Sequence, residues 1–239
     1  MDDGKKLINW VAGVATLIVA LLIVIVVLEP REGGVSRAAA SRAVALTIAP
    51  KNEIEENGPE QSFFPEELQN EWYVKYMDFL YEQGYLDPDT CPATEETALS
   101  EVTYGELAGF AAAVRETAEQ GTEALQVYEN TSHSDRQVSR EDFWEFYDVF
   151  RSAADQEGNV KELTTDLYGT PDNVDGAAPW TAYTKDGRYL FEGLSLDSYI
   201  DKTIRFLVRD QDILKVDAVV SDEIVYENAW ISGFSGNSV

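Results

Sequence analysis

One histidine and one cysteine stand in this chain of 239 residues, so the chemistry open to it narrows at once. His133 sits in a polar stretch, Asn130 to Gln137, with Asp135 two residues on. A Ser-His-Asp arrangement needs a buried aspartate and a positioned serine, and nothing around His133 predicts either. Cys91 is alone, which excludes an intramolecular disulfide and a multi-cysteine metal site. Asp87 to Glu96 has the acidity of a calcium loop but not its pattern. Counting from Asp87 puts Pro92 where the EF-hand needs glycine and Ala98 where it needs glutamate, so the match fails. Asp172, Asn173 and Asp175 before Gly176 read as turn formers. Paired carboxylates can cleave glycosidic bonds, but among 44 acidic residues no pair stands out by spacing. No glycine-rich phosphate loop or dinucleotide fingerprint occurs. No catalytic residue, cofactor or metal is therefore assigned. Asn130-Thr131-Ser132 fits a glycosylation acceptor, a pattern common by chance.

The residues left with a binding chemistry are aromatic and basic. Trp72 and Tyr76 lie one helical turn apart, as do Trp144 and Tyr147, and Arg140 begins the second of these stretches. Such aromatics serve either as core or as a platform on which sugar rings stack. Trp72, Tyr76, Arg140, Trp144 and Tyr147 are the candidate contacts for a glycan or a protein partner.

Helices are expected to carry them. Pro65, then Glu66 and Glu67, suit a helix start, and Leu68, Trp72, Tyr76 and Leu80 fall on one face before Gly84. Thr103 to Glu106 reads as a capping box ahead of Leu107, Phe110, Ala111 and Val114. Ser139 to Asp142 is a second cap, ahead of an aromatic-loaded helix ending near Gly158. The texture then changes. Val160 to Tyr168, the hairpin around Asp186-Gly187, the alternation through Ile204, Phe206 and Val208, and the runs Ile213 to Val220 and Glu223 to Ile231 predict short strands in an antiparallel meander, forming a small sheet or barrel.

Trp10 to Leu28 is a run of nineteen residues without a charge. As a helix it spans roughly 28 Å, near the thickness of a bilayer's hydrocarbon core. It is longer than the apolar stretch of a cleavable signal peptide. Basic residues flank it almost evenly, and the great length of chain on its C-terminal side favours a cytoplasmic N-terminus. The formal net charge is −26, and the four charges before residue 28 cancel, so the whole excess lies beyond the run. A field of that sign repels nucleic acid, which excludes nucleic-acid binding.

These readings give an α+β chain: a cytoplasmic tail (1–9), a transmembrane helix (10–28), a linker stem (29–62), a small helical subdomain (63–158) and a small antiparallel β subdomain (159–239). The expected partner besides the membrane is peptidoglycan or a secondary cell-wall polymer, or another envelope protein. The expected location is the cell membrane, single-pass, with the C-terminal part extracytoplasmic.

Two resemblances sharpen the functional expectation. Trp72 to Leu86 followed by Val102-Thr103-Tyr104-Gly105-Glu106-Leu107-Ala108 resembles an S-layer-homology repeat, and Val138-Ser139-Arg140-Glu141-Asp142-Phe143 resembles a second helix start of that type. Tyr104 and Gly105 replace the family's Arg-Ala pair, so only Arg140 matches the arginine that grips wall polymers there. Phe191 to Ile200, Ile204 to Arg209 and Tyr226 to Ile231 are similar to the N-terminal region of clostridial stage II sporulation protein D homologues, of the amidase-enhancer family. That resemblance implies an outward-facing role in peptidoglycan remodelling during sporulation. The family's lytic transglycosylase domain has no counterpart here, so no catalytic residue carries over. The expected role is a non-catalytic one, binding or positioning at peptidoglycan. The alternatives are a peptidoglycan-cleaving transglycosylase and an assembly or signalling subunit.

Overall fold

The computed structural model describes residues 33–118, 121–130 and 134–224. A helical lobe is followed by a five-stranded closed barrel, and a strip of charged side chains joins the two.

The first helix, α1 (Arg37–Ile48), is the axis of the helical lobe. Ser36 caps it, its side chain accepting from the Ala39 amide at 3.2 Å. Ala38 and every residue from Ala40 to Thr47 are buried. A helix covered all round belongs in a core. This corrects the linker stem expected over 29–62. The stretch shows no apolar stripe because alanine and serine lend small volume to every face, so neighbouring helices and a strand of the barrel pack closely around it and leave Ala39 half-buried. Short α2 (Lys51–Glu56) follows, with buried Ile54.

The helix expected over 65–84 is interrupted. A single 3₁₀ turn, Glu66–Leu68, precedes α3 (Val74–Glu82), and Gly84, at φ +74°, ends it. There the Tyr85 and Leu86 amides both return to the Leu80 carbonyl, at 2.8 and 3.2 Å. After α4 (Glu95–Leu99), the capping box of α5 (Tyr104–Thr117) forms as expected: the Thr103 amide donates to Glu106 at 2.7 Å. A 3₁₀ turn (Glu123–Leu125) and α6 (Gln126–Glu129) lead to α7 (Arg140–Ala154), capped by Ser139, which accepts from the Asp142 amide at 3.1 Å. Phe143, Phe146, Tyr147 and Phe150 form the buried stripe of α7.

The barrel comprises β1 (Lys161–Gly169), β2 (Thr181–Thr184), β3 (Gly187–Leu190), β4 (Lys202–Arg209) and β5 (Asp212–Ser221), in the closed order β1-β2-β3-β5-β4. The Asp186-Gly187 hairpin joins β2 to β3 as expected. An antiparallel meander, however, is not what forms. Residues 191–201 carry the chain away from β3 and bring β4 in beside β1. That leaves β5 running in the same sense as β3, and the two close the barrel through a parallel contact, Leu190 against Asp212. The Leu190 amide donates to the Gln211 carbonyl at 2.7 Å there. The sheet is mixed. Alternation along β4 serves both lobes: Ile204, Phe206 and Val208 fill the barrel, while Leu207 joins the helical core.

The fold class is corrected on a second count. Among the described residues no helix is long and apolar enough to cross a membrane. The longest, α7, has 15 residues and charges along one face. The run Trp10 to Leu28 lies outside the described residues, as do His133 and most of the strand expected over Glu223 to Ile231.

Candidate functional site: a groove between the lobes

Two features meet where helices face barrel: a buried charged seam and an open aromatic groove.

In the seam, Arg42 of α1 reaches the first residues of β5. Its guanidinium pairs with Asp212 at 3.1 Å and donates to the Ile213 carbonyl at 2.5 Å. The Arg42 and Asp212 side chains are 2% and 6% exposed, so this is a desolvated pair. Lys51 bridges onward to Glu192 at 3.0 Å and to Asp212 at 3.8 Å. Glu192 accepts from the Tyr76 hydroxyl at 2.6 Å and pairs with Lys75 at 3.4 Å. Burial raises the Asp212 carboxyl above its ordinary range, against the pull of Arg42 and Lys51. Burial pushes the Glu192 carboxyl the same way, but the Tyr76 and Lys51 hydrogen bonds with both lysine charges outweigh it, and the net shift is downward. The Tyr76 hydroxyl is pushed well above its ordinary value by burial first, despite Arg42, and then by Glu192. Arg209 closes the seam at the other end of α1, donating to the Leu46 and Thr47 carbonyls at 3.1 and 2.8 Å. Those are C-terminal carbonyls, where a cation is favoured.

The groove opens beside the seam, with a volume of about 470 Å³, the size range of small-ligand sites. Its helical wall is Ala39 of α1 with Arg140 and Trp144 of α7; its barrel wall is Trp180, Leu194, Tyr199 and Lys215. Lys215 lies 5.3 Å from the Trp144 ring centroid, a cation–π contact, and is shared by Asp148 at 3.5 Å and Asp217 at 3.4 Å. Arg140 is exposed and has no carboxylate partner among the described residues.

Trp180 sits just before β2 with φ +56°, a left-handed backbone that a bulky residue adopts only under strain. Its carbonyl accepts from the Phe191 amide at 2.9 Å, and its ring lies 5.8 Å from Phe191 and 6.3 Å from Trp72. The residue is nevertheless 37% exposed. Behind it, Trp72 lies over Gly193, where a Cβ would come within 2.1 Å of the indole; Gly193 also has φ +72°. Only glycine admits that approach.

The five sequence candidates thus separate. Arg140 and Trp144 come together in the groove. Trp72 supports it from behind, through Trp180. Tyr76 belongs to the seam, and Tyr147 is wholly buried, sharing a 2.8 Å hydrogen bond with Thr47. Sequence reasoning missed Trp180, Lys215, Tyr199 and Gly193. Trp180 reads as an ordinary strand start, and its exposure follows from a backbone conformation that no spacing rule signals.

Among the described residues no histidine or cysteine lines the groove, and no group of three or more His, Cys, Asp or Glu side chains is placed to hold a metal ion. Cys91 is buried, its thiol pushed up to about 12 by burial first and Glu106 second, which keeps it protonated. What the groove offers is ring stacking, an exposed guanidinium and hydroxyls. Comparison with known protein families, curated proteins and solved structures returned no match.

Proposed function

We propose that this chain is a non-catalytic binding module of the cell envelope, acting outside the cytoplasm, and that its groove holds a segment of peptidoglycan or an attached wall polymer. The observation that carries the reading is the groove itself: two tryptophans, Trp144 and Trp180, on opposite walls, with the exposed Arg140 beside them. Indole faces stack on sugar rings, and a guanidinium binds carboxylate or phosphate by paired hydrogen bonds. The resemblances of Val138 to Phe143 and of Phe191 to Ile200 to wall-associated families support the same ligand class, and the second of them links it to sporulation.

Co-sedimentation of the full chain with purified sacculi tests this. Retention is expected, with no release of soluble muropeptides. Release of muropeptides would replace the reading with peptidoglycan cleavage; failure to sediment would reject it outright.

A further inference from the structure

Glu192 belongs to the seam by its side chain and to the groove by its backbone. Its carboxylate accepts from the Tyr76 hydroxyl at 2.6 Å and from Lys51 at 3.0 Å, and pairs with Lys75 at 3.4 Å. Those partners lie on α2 and α3 of the helical lobe. The Glu192 side chain is only 14% exposed, so water screens the cluster little. Among the described residues, all hydrogen bonds between the strap 191–195 and the helical lobe end on Glu192. The residues on either side of it carry the groove. Before it, Phe191 holds Trp180 twice, by its amide on the Trp180 carbonyl at 2.9 Å and by its ring at 5.8 Å. After it, Gly193, Leu194 and Ser195 line the barrel wall.

The left-handed backbone of Trp180 persists only where its surroundings over-determine it. Three contacts do so: the Phe191 amide, the Phe191 ring and the Trp72 ring. Two of them come from the strap, and the third meets the strap again, since Trp72 also lies over Gly193. The strap is thus fastened to the helices by shape at Gly193 and by charge at Glu192. Apolar contact has no direction of its own, whereas hydrogen bonds to an ionised carboxylate fix one.

We propose that Glu192 is a positioning residue: held by Lys51, Lys75 and Tyr76, it stakes the barrel wall of the groove to the helical lobe and so sets the face that Trp180 presents to a ligand. This deepens the wall-binding reading and rests on it. The test uses the full chain and two readouts. One is retention on sacculi. The other is acrylamide quenching of Trp180, taken as the difference between each protein and its Trp180→Phe counterpart. In Glu192→Ala, Trp180 should become more accessible to acrylamide, and retention should weaken about two- to tenfold, the range of one aromatic contact. Glu192→Gln keeps an acceptor for Tyr76 but offers the lysines no charge, and should fall between Glu192→Ala and the native chain. Val114→Ala is the control for stability alone. Val114 is buried beside Ala153 and Ala154, at the far end of α7 from Trp144, so its loss should leave both readouts unchanged. An unchanged Trp180 signal in Glu192→Ala overturns the positioning role, as does an equal change in Val114→Ala. A changed Trp180 signal with undiminished retention overturns the link to the ligand. No retention of the native chain overturns the wall-binding reading, and the Trp180 signal then decides the positioning role by itself.

Discussion

The seam and the groove lie side by side on the same pair of lobes, and they treat charge in opposite ways. In the seam three cations face two carboxylates, and the Arg42–Asp212 pair at its centre is nearly dry. In the groove Arg140 has no carboxylate partner among the described residues, and Trp180 holds a strained backbone while remaining more than a third exposed to solvent. The contrast separates two uses of polar residues. A charge that is paired and buried fixes how the lobes sit; a charge left open beside an exposed ring serves something that arrives from outside. Removing seam residues should therefore cost stability, and removing groove residues should cost binding.

The largest effect is expected at the centre of the seam. Arg42→Ala leaves Asp212 buried without its main partner, and a broken buried pair typically costs about 3–5 kcal/mol. Chemical denaturation should show that loss. Arg42→Met/Asp212→Leu, which removes both charges, should recover most of it. A double variant no better than the single would mean that Lys51 and the Ile213 carbonyl carry the seam, not the pair.

Next is the pin behind the groove. Gly193→Ala places a methyl into the Trp72 indole and an alanine at φ +72°. Overpacking and backbone strain together should cost at least about 2 kcal/mol. Gly193→Ala/Trp72→Ala should cost less than the sum of the singles, since the clash disappears with the indole. Additivity there would show that the two residues do not meet.

Tyr76→Phe removes one hydrogen bond to an ionised carboxylate, which is worth about 1.5–3 kcal/mol. The same carboxylate gives the seam a pH signature. The folded-state pKa of Glu192 lies below its ordinary value of 4.5, so its contribution is present above 4.5 and is lost as pH falls through the folded value. Asp212 runs the other way: its folded pKa lies above 3.8, so its contribution is present below 3.8 and is lost as pH rises through the folded value. The difference in unfolding free energy between the native chain and Glu192→Gln should thus be largest above pH 4.5 and shrink on acidification. A difference that grows with acid would reverse the direction of the Glu192 shift.

The same division explains what could be read from the sequence. The helix starts at Thr103 and Ser139 and the hairpin at Asp186-Gly187 are local devices, each contained in four or five residues, and each was legible. Helix α1 was not, because the burial of Ala40 to Thr47 is set by neighbours far along the chain, such as Tyr147 against Thr47. The parallel closure of β3 on β5 was hidden for the same reason: it depends on where residues 191–201 deliver β4. In the site, Arg140 and Trp144 were visible because they are neighbours on one helix, whereas Trp180 and Lys215 reach them only through the barrel.

The smallest change in stability is expected where the change in function is clearest. Arg140 is exposed at the first position of α7, outside the Ser139 cap, and pairs with no carboxylate among the described residues. Arg140→Gln should shift the unfolding free energy by no more than about 0.5 kcal/mol, as for surface positions generally. Retention on sacculi should nevertheless weaken, and its dependence on salt should flatten, because an exposed ion pair is screened over roughly 10 Å at 0.1 M salt. If retention and its salt dependence are unchanged while Trp144→Ala still lowers binding, the groove binds through its rings alone, and the open arginine belongs with the ordinary charged surface. If Arg140→Gln destabilises the fold as much as Tyr76→Phe, the distinction between a seam that holds and a groove that receives does not apply to Arg140.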